Sequence, residues 1–287
     1  MTAIPAVVCG AVSIAVLLGA AAQKRLSLDD VLANAGAYSI EAGRQLAAVV
    51  ADEDYSQSLV VRANERVFAR RRLESEIVFV TLDDQHWLAF RQVRRVDGQA
   101  VGGDPNWLDQ VFRGGPSSVV ERTRVIAAES ARHNLGDVQR TVNFPTIVQQ
   151  FLLPVHQAAF RFSKKREEQL GDGRVWVIEY KELSSVTIIA TTEHRSLPAA
   201  GLMWIEPSSG RIVRATLELG QPVPTKIEFF WQLDSRLQLW VPARMRERYE
   251  TTLTKQLDPM KLPEPYDIVG TAAYSNFRRF ETDFRIR

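Results

Sequence analysis

The chain has 287 residues, of which 45% are hydrophobic and 24% charged, and its formal net charge at pH 7 is +2. This length and hydrophobic content suffice for one large domain with its own core, without disulfide or metal staples. The small net charge gives no support to a nucleic-acid partner. Cys9 is the only cysteine, so thiolate metal sites are excluded.

A long apolar segment occupies the N-terminal region. Ile4 to Ala22 contains no charged residue and ends in Ala20 to Ala22, the kind of small residues that a signal peptidase accepts. We therefore expect a signal peptide at 1–22 and a periplasmic or secreted mature protein. Basic residues follow the segment rather than precede it, so an uncleaved N-terminal membrane anchor is the alternative.

An amphipathic helix is predicted after this segment. Ser27 and Asp30 have the spacing of a capping box. Apolar or aromatic side chains then recur at helical spacing: Val31, Ala35, Tyr38, Ala42, Leu46 and Val49.

From about Tyr55 the hydrophobic period changes to two, which predicts strands. Leu73, Ile77 and Phe79 share one side of the first run. A second strand-like run covers His86 to Val96, and Leu82–Gln85 between the two runs predicts a hairpin.

The next part of the chain predicts a helical insertion at about 104–154. Trp107 to Phe112 has the pattern of a helical turn against the core, and Pro145 to Leu153 that of a short apolar helix. Because proline interrupts helices, we expect the second helix to end at Pro154.

Everything after Phe160 predicts strands separated by turns. In one strand Trp176, Ile178 and Tyr180 alternate with Val175, Val177 and Glu179. In another, Ala243, Met245 and Tyr249 alternate with Arg244, Arg246 and Arg248. We expect the first set of each strand to lie inside and the second set to lie outside or against another layer.

The order of these elements predicts an α+β fold in a single domain, 23–287. Its centre is a curled, incompletely closed antiparallel β-barrel that wraps its helices or is lidded by them, with an amphipathic helix at its N-terminus. The insertion at about 104–154 supplies the other helices.

No catalytic, cofactor or metal site is predicted. The four histidines fall on different predicted elements, and the sequence contains no H-E-x-x-H, G-x-S-x-G or phosphate-binding glycine motif. A hydrolase with dispersed catalytic residues remains the third functional alternative.

The aromatic and methionine residues of the later strands are the candidate binding residues. In an open, curled sheet they would line a concave apolar surface able to take a lipid chain, whereas in a filled barrel they would form the core. Periodicity does not separate these interpretations. The candidate lining is Trp176, Tyr180, Trp204, Phe229, Trp231, Met245, Tyr249 and Phe277.

This combination of an apolar leader, an N-terminal helix and an incomplete barrel lidded by helices resembles the lipoprotein-carrier (LolA-like) superfamily. Three segments are similar to uncharacterised secreted proteins of soil bacteria: Ala131 to Gly136, Arg140 to Thr146 and Ala273 to Phe280. The superfamily resemblance implies that the fold shields acyl chains or lipoproteins between membranes. It assigns no role to any individual residue.

We therefore expect an exported, non-enzymatic binding protein that holds a hydrophobic ligand or a lipidated partner protein in its concave sheet. Peripheral contact with an envelope membrane fits this expectation, whereas a cofactor or a nucleic-acid partner does not. The main alternative is a cell-envelope module for protein–protein interaction, with a filled core.

Overall fold

In the computed structural model, the described residues are 26–81, 87–102, 106–112, 128–136, 140, 144–171, 173–191, 194–252 and 265–280. The signal peptide expected at 1–22, the Leu82–Gln85 connection and much of the helical insertion lie outside these ranges.

The described residues include four helices and eleven strands with assigned bounds. The helices are α1 (Leu28–Leu46), α2 (Trp107–Phe112), α3 (Ile147–Gln150) and α4 (Pro154–Gln157). The first strands are β1 (Val49–Val61), β2 (Val67–Thr81), β3 (Trp87–Val96), β4 (Gln99–Ala100), β5 (Phe160–Leu170) and β6 (Gly173–Glu182). The later strands are β7 (Ala200–Ile205), β8 (Ile212–Leu219), β9 (Thr225–Asp234), β10 (Leu239–Thr252) and β11 (Pro265–Arg279).

All eleven strands form one antiparallel sheet in the order β4-β3-β2-β1-β11-β10-β9-β8-β7-β6-β5. The last strand lies between β1 and β10 and so joins the two ends of the chain within the sheet. Side chains from β2 to β6 share one core cluster, which requires the sheet to curl around it. In the described part of the chain the edge strands β4 and β5 do not pair with each other, so the curl stays open. The predicted α+β class with an incompletely closed barrel is confirmed.

Strict alternation in β6 sets the two faces of the sheet. Trp176, Ile178 and Tyr180 belong to the main core, and Val175 and Val177 belong to a small cluster on the opposite face. The Glu179 side chain is 48% exposed and binds Lys165, so burial of an unpaired carboxylate is avoided. The predicted orientation of this strand is confirmed.

Helix α1 packs on the face that carries Trp176 and Tyr180, which we call the concave face. Ser27 and Asp30 cap it reciprocally, at 3.0 Å and 2.9 Å, as predicted. Its buried side includes Val31, Ala35, Ala42 and Leu46.

The end of α1 differs from the prediction in one respect. Ala48 takes a positive φ of 59° after the helix ends at Leu46, and the chain turns directly into β1. Val49 is therefore the first strand residue rather than the last residue of the helical stripe.

Two glycines permit close contacts of α1. A Cβ at Gly43 would lie 2.6 Å from the Trp87 ring, and one at Gly210 would lie 2.2 Å from the Asn34 backbone. Gly210 also has φ 74°, a conformation that glycine adopts at little cost. These contacts hold α1 against β3 near its C-terminal end and against the β7–β8 turn at Asn34.

The prediction that an apolar helix runs to Pro154 is wrong. Helix α3 is only four residues long, and Pro154 is the first residue of α4 instead of a terminator. Proline fits this position because the first residues of a helix have no acceptor for their N–H groups.

A second, smaller core lies on the outer face of β1 to β3. Trp107 of α2 packs there with Val50, Val78, Val80 and Phe90. The indole Nε1 of Trp107 donates to Glu76 at 3.1 Å. Among the described helices, none combines the length and apolar character needed to cross a membrane.

Candidate functional site

The structure buries all eight candidate lining residues, but it does not bring all of them together. Six of them belong to the main core: Trp176, Tyr180, Phe229, Trp231, Met245 and Phe277. Tyr249 packs beside this core, with Leu59 and Ile268.

Trp204 does not line the concave face, which corrects that part of the prediction. It pairs across the sheet with Val177 and packs with Val175 and Val177 on the outer face. Its Nε1 donates to Glu168 at 2.8 Å, and the Arg214 guanidinium lies 4.4 Å from its ring centroid. The residue type of Trp204 does not indicate its position, because the face of the sheet that a side chain occupies depends on the register of its strand.

The concave face of β6 to β9, together with Met245 of β10, forms what we call the apolar half. Its side chains pack against α1 and against residues 144–157, which together we call the helical cover. Phe151 of the cover lies 5.1 Å from Phe160 and 5.5 Å from Tyr180 between ring centroids. Trp231, at 6% exposure, has an Nε1 without a hydrogen-bond acceptor in the described residues.

Few polar contacts fasten the helical cover. Asn34 Nδ2 donates to the Pro207 carbonyl at 3.0 Å, and Gln150 Nε2 donates to the Trp87 carbonyl at 2.9 Å. Trp87 Nε1 donates to Thr146 Oγ1 at 3.0 Å. Most of the contact between the cover and the sheet is therefore non-directional packing of apolar side chains.

The concave face of β1, β3, β10 and β11 has a different character, and we call it the polar half. At its centre, Arg140 from the insertion and Glu247 from β10 form an ion pair at 3.3 Å, with both side chains fully buried. Arg140 Nη1 donates to the Tyr55 hydroxyl at 2.7 Å, and Tyr55 donates to Glu247. Tyr249 donates to the other oxygen of Glu247 at 3.0 Å. Arg140 also donates to Gln57.

A second buried ion pair continues this network. Arg91 Nη2 donates to Glu53 at 2.7 Å, and the Arg91 guanidinium lies 5.4 Å from the Tyr55 ring centroid. Arg140 lies 5.7 Å from the same ring. Burial alone would lower the pKa of Arg91, but Glu53 beside it raises that pKa above its ordinary value. Two cations and two carboxylates are thus held around one tyrosine.

The tyrosines of the polar half stay protonated at neutral pH. Burial, and then the Glu247 carboxylate, raises the pKa of Tyr55 and of Tyr249 well above its ordinary value. Burial, followed by the Glu53 carboxylate, does the same for Tyr274. Tyr55 and Tyr249 therefore act as hydrogen-bond donors to Glu247, and the network anchors the insertion to the sheet through Arg140.

A cavity of about 540 Å³ lies at the margin of the polar half, between β2, the β3–β4 turn and residues 132–133. Its charged walls are Arg71, Arg132 and Asp97, His133 adds a polar wall, and Val96, Ala100 and Val101 contribute apolar surface. Val96 and Val101 also pack against the main core. The cavity therefore combines a cationic rim with an apolar wall that leads toward the interior.

Sequence reasoning missed the polar half, although strand alternation contains a signal for it. Glu247 lies between Met245 and Tyr249 on the inward side of β10, and Glu53 and Gln57 share the inward side of β1 with Tyr55. A carboxylate at an inward position requires a buried partner. The partner Arg140 lies about a hundred residues away and is not marked by any local pattern.

The described residues contain no group of three or more His, Cys, Asp or Glu side chains that could hold a metal ion. No protein-family model matches the chain, and no curated protein matches it.

Three solved structures align with most of the chain. A domain from Vibrio parahaemolyticus, named for outer membrane lipoprotein sorting, has 9% identity and a TM-score of 0.40, covering 89% of this chain and 95% of that chain. A DUF1329 family protein from Desulfovibrio piger has 10% identity and a TM-score of 0.37, covering 90% and 95%. A LolA superfamily protein from Nitrosomonas europaea has 12% identity and a TM-score of 0.34, covering 90% and 96%. Similarity at this level transfers no function to this chain.

Proposed function

We propose that this protein is an exported, non-enzymatic binding protein that holds a hydrophobic ligand against the apolar half of its sheet. The observation that carries the proposal is the way this half is covered. An open sheet with a broad apolar concave face is covered by separate helical pieces fastened mainly by non-directional packing, rather than by a second sheet or by closure of the barrel.

The ligand would take the place of part of the helical cover. Each methylene group removed from water contributes about 0.8 kcal/mol, so a twelve-carbon chain gains roughly 9 kcal/mol in gross terms. The displaced cover loses its own contacts, and this cost offsets part of the gain. Exchange of one apolar surface for another requires no preformed void, which fits the packed interior of the apolar half.

Two features support the cellular setting and the lack of catalysis. The apolar segment Ile4 to Ala22 supports export, and Cys9 within it is the only cysteine, so the expected mature chain contains no thiol nucleophile. The buried carboxylates Glu53 and Glu247 are each paired with an arginine, an arrangement suited to structural anchoring.

Hydrogen exchange with dodecanol as the probe tests this proposal. We expect saturable binding and faster amide exchange in α1 and residues 144–157, with unchanged exchange in β8 and β9. A displaced cover loses protection, whereas the sheet keeps its hydrogen bonds. Absence of dodecanol binding, or binding that leaves exchange in the cover unchanged, would contradict the proposal.

A second candidate function, an envelope module for protein–protein interaction, is favoured by the packing of the interior. The six lining residues in the main core are between 0% and 8% exposed, as in a filled core. Two exposed apolar side chains, Val155 of the helical cover at 53% and Val186 at 81%, would then belong to the contact surface. In that case dodecanol would leave the exchange pattern of the protein unchanged.

A further inference from the structure

The cavity at the margin of the polar half has the chemistry of an anion site. Arg71 Nη1 donates to the His133 carbonyl at 3.0 Å, and Arg71 Nε is buried without a hydrogen-bond acceptor in the described residues. A buried cationic donor without an acceptor is costly, and an oxygen atom of a ligand would relieve that cost.

The other polar walls of the cavity carry charges of both signs. Arg132 is 60% exposed at the rim, where its ion pair with Glu129 offsets part of its charge, so Arg71 is the principal cation of the cavity. The single carboxylate of the lining, Asp97, accepts the Arg72 backbone N–H at 2.8 Å. Burial, and then the nearby Arg132, lowers the pKa of His133, while Glu129 opposes the shift, so the imidazole is neutral at pH 7 and contributes polar rather than charged surface.

The apolar wall of the cavity connects it to the main core. Val96 pairs with Leu73 of the main core, and both Val96 and Val101 pack against that core. A chain that starts at Arg71 and passes these valines therefore meets the main core at Leu73.

We propose that this cavity binds the anionic head group of a single-chain amphiphile, a carboxylate or a phosphate monoester, whose acyl chain runs past Val96 and Val101 toward the main core. Arg71 supplies the charge-assisted hydrogen bonds, and Arg132 adds positive potential at the entrance. The inference rests on the proposed function, because it names the class of lipid that the protein holds.

Matched ligands test the head-group site separately from lipid binding. Dodecanol, dodecanoate and dodecyl phosphate share one chain and differ only in the head group, and inorganic phosphate has the anion without the chain. We expect both anionic amphiphiles to bind at least tenfold more tightly than dodecanol, because a charged hydrogen bond is involved. Inorganic phosphate at millimolar concentration should not displace them, because the chain supplies most of the affinity.

Matched variants assign the effect to the cavity. Arg71→Gln should reduce dodecanoate affinity to that of dodecanol and leave dodecanol affinity unchanged. Arg70→Gln is the control. Arg70 is exposed, and because it is next to Arg71 in β2, its side chain points to the opposite face of the sheet, away from the cavity. It removes the same charge outside the cavity, and we expect no change in the ratio of the two affinities. Arg132→Gln, at an exposed position, should reduce that ratio by a smaller factor without loss of folding.

The outcomes separate the two proposals. Equal affinity for dodecanol and dodecanoate in the unaltered protein would overturn the head-group site while the proposed function stands. Failure of all three amphiphiles to bind would overturn both. Tight binding of inorganic phosphate that competes with dodecanoate would identify a free-anion site and overturn the lipid assignment of this cavity.

Discussion

The two halves of the concave face are built on opposite principles. In the apolar half, Trp231 and Met245 pack against a cover made of helices, with few hydrogen bonds. In the polar half, Arg140 and Glu247 are fully buried and joined through the hydroxyl of Tyr55. The contacts of the first half do not depend on direction, whereas those of the second half depend on distance and angle.

This difference determines where a ligand can replace contacts within the protein. Apolar side chains accept a different apolar neighbour at small cost, provided that volume is conserved. A buried ion pair has no such tolerance, since loss of one partner leaves the other charge without compensation. We therefore expect ligand exchange in the apolar half, while the polar half keeps the insertion in place.

The largest effect is expected from a charge placed in the apolar half. Met245→Glu puts a carboxyl at a position with 0% exposure, opposite Phe229 and Ala272. Holding a Glu neutral at pH 7 costs about 3.7 kcal/mol relative to its usual pKa, and the lost methionine burial adds about 2 kcal/mol. We expect the free energy of unfolding to fall by about 6 kcal/mol, as measured by urea denaturation.

The pH dependence of this variant identifies the cause. Burial raises the pKa of the introduced carboxyl in the folded state, so the destabilisation should be smallest below pH 4 and should grow as pH rises. Met245→Leu is the control and should lose less than about 1.5 kcal/mol at any pH. A pH-independent loss in Met245→Glu would mean that shape, not charge, is responsible.

Prediction from sequence succeeds where a single strand carries the whole signal. The alternation of Trp176, Ile178 and Tyr180 with Val175, Val177 and Glu179 depends only on the geometry of a strand, and it is found as expected. The same holds for the cap of α1, since Ser27 and Asp30 are three residues apart.

Features that depend on pairing between distant segments were not predictable in this way. Trp204 is of a residue type expected in the lining, but its pairing with Val177 places it on the outer face of the sheet. Arg140 belongs to the polar half only because the insertion folds back onto β1 and β10. Pro154 begins a helix because Leu153 ends the preceding turn in an extended conformation.

The second largest effect is expected from removal of one charge from the polar half. Arg140→Met leaves Glu247 buried with only tyrosine hydroxyls as donors. Breaking a fully buried pair costs about 3–5 kcal/mol. In the double variant Arg140→Met/Glu247→Gln the uncompensated charge is gone and an acceptor for the tyrosines remains, so most of the loss should be recovered.

A double-mutant cycle measures this coupling directly. The unfolding free energies of both single variants and of the double variant should be far from additive, because each single change leaves a partner unpaired. Additive losses would show that Arg140 and Glu247 act independently and would remove the distinction between the two halves.

A smaller effect concerns the edge of the helical cover at alkaline pH. Burial raises the pKa of Tyr38 on α1 to about 12, with Arg211 opposing the shift and Glu206 adding to it. The unfolded chain ionises near pH 10, so the stability contributed by the neutral phenol is present below pH 10 and is lost as pH rises toward 12. Between pH 10 and pH 12, the free energy of unfolding of Tyr38→Phe should therefore fall by roughly 2–3 kcal/mol less than that of the unaltered protein.

Denaturation series at pH 9, 10 and 11.5 provide the measurement. The other buried tyrosines are present in both proteins, so their contribution cancels in the difference. If the two proteins lose stability in parallel, Tyr38 does not ionise on unfolding in this range and the cover is not pH-sensitive at this point.

The smallest effect is expected from the cap of α1, and it connects stability with binding. Ser27→Ala removes the hydroxyl that accepts the Asp30 N–H, which costs about 1 kcal/mol, whereas Ser27→Thr retains an oxygen acceptor and should cost less. Because α1 covers the apolar half, a frayed first turn lowers the cost of displacing it. We expect Ser27→Ala to speed dodecanol association severalfold in stopped-flow measurements, and Ser27→Thr to leave the rate nearly unchanged. If Ser27→Ala lowers stability but leaves the association rate unchanged, α1 is a fixed part of the core and ligand entry does not involve its first turn.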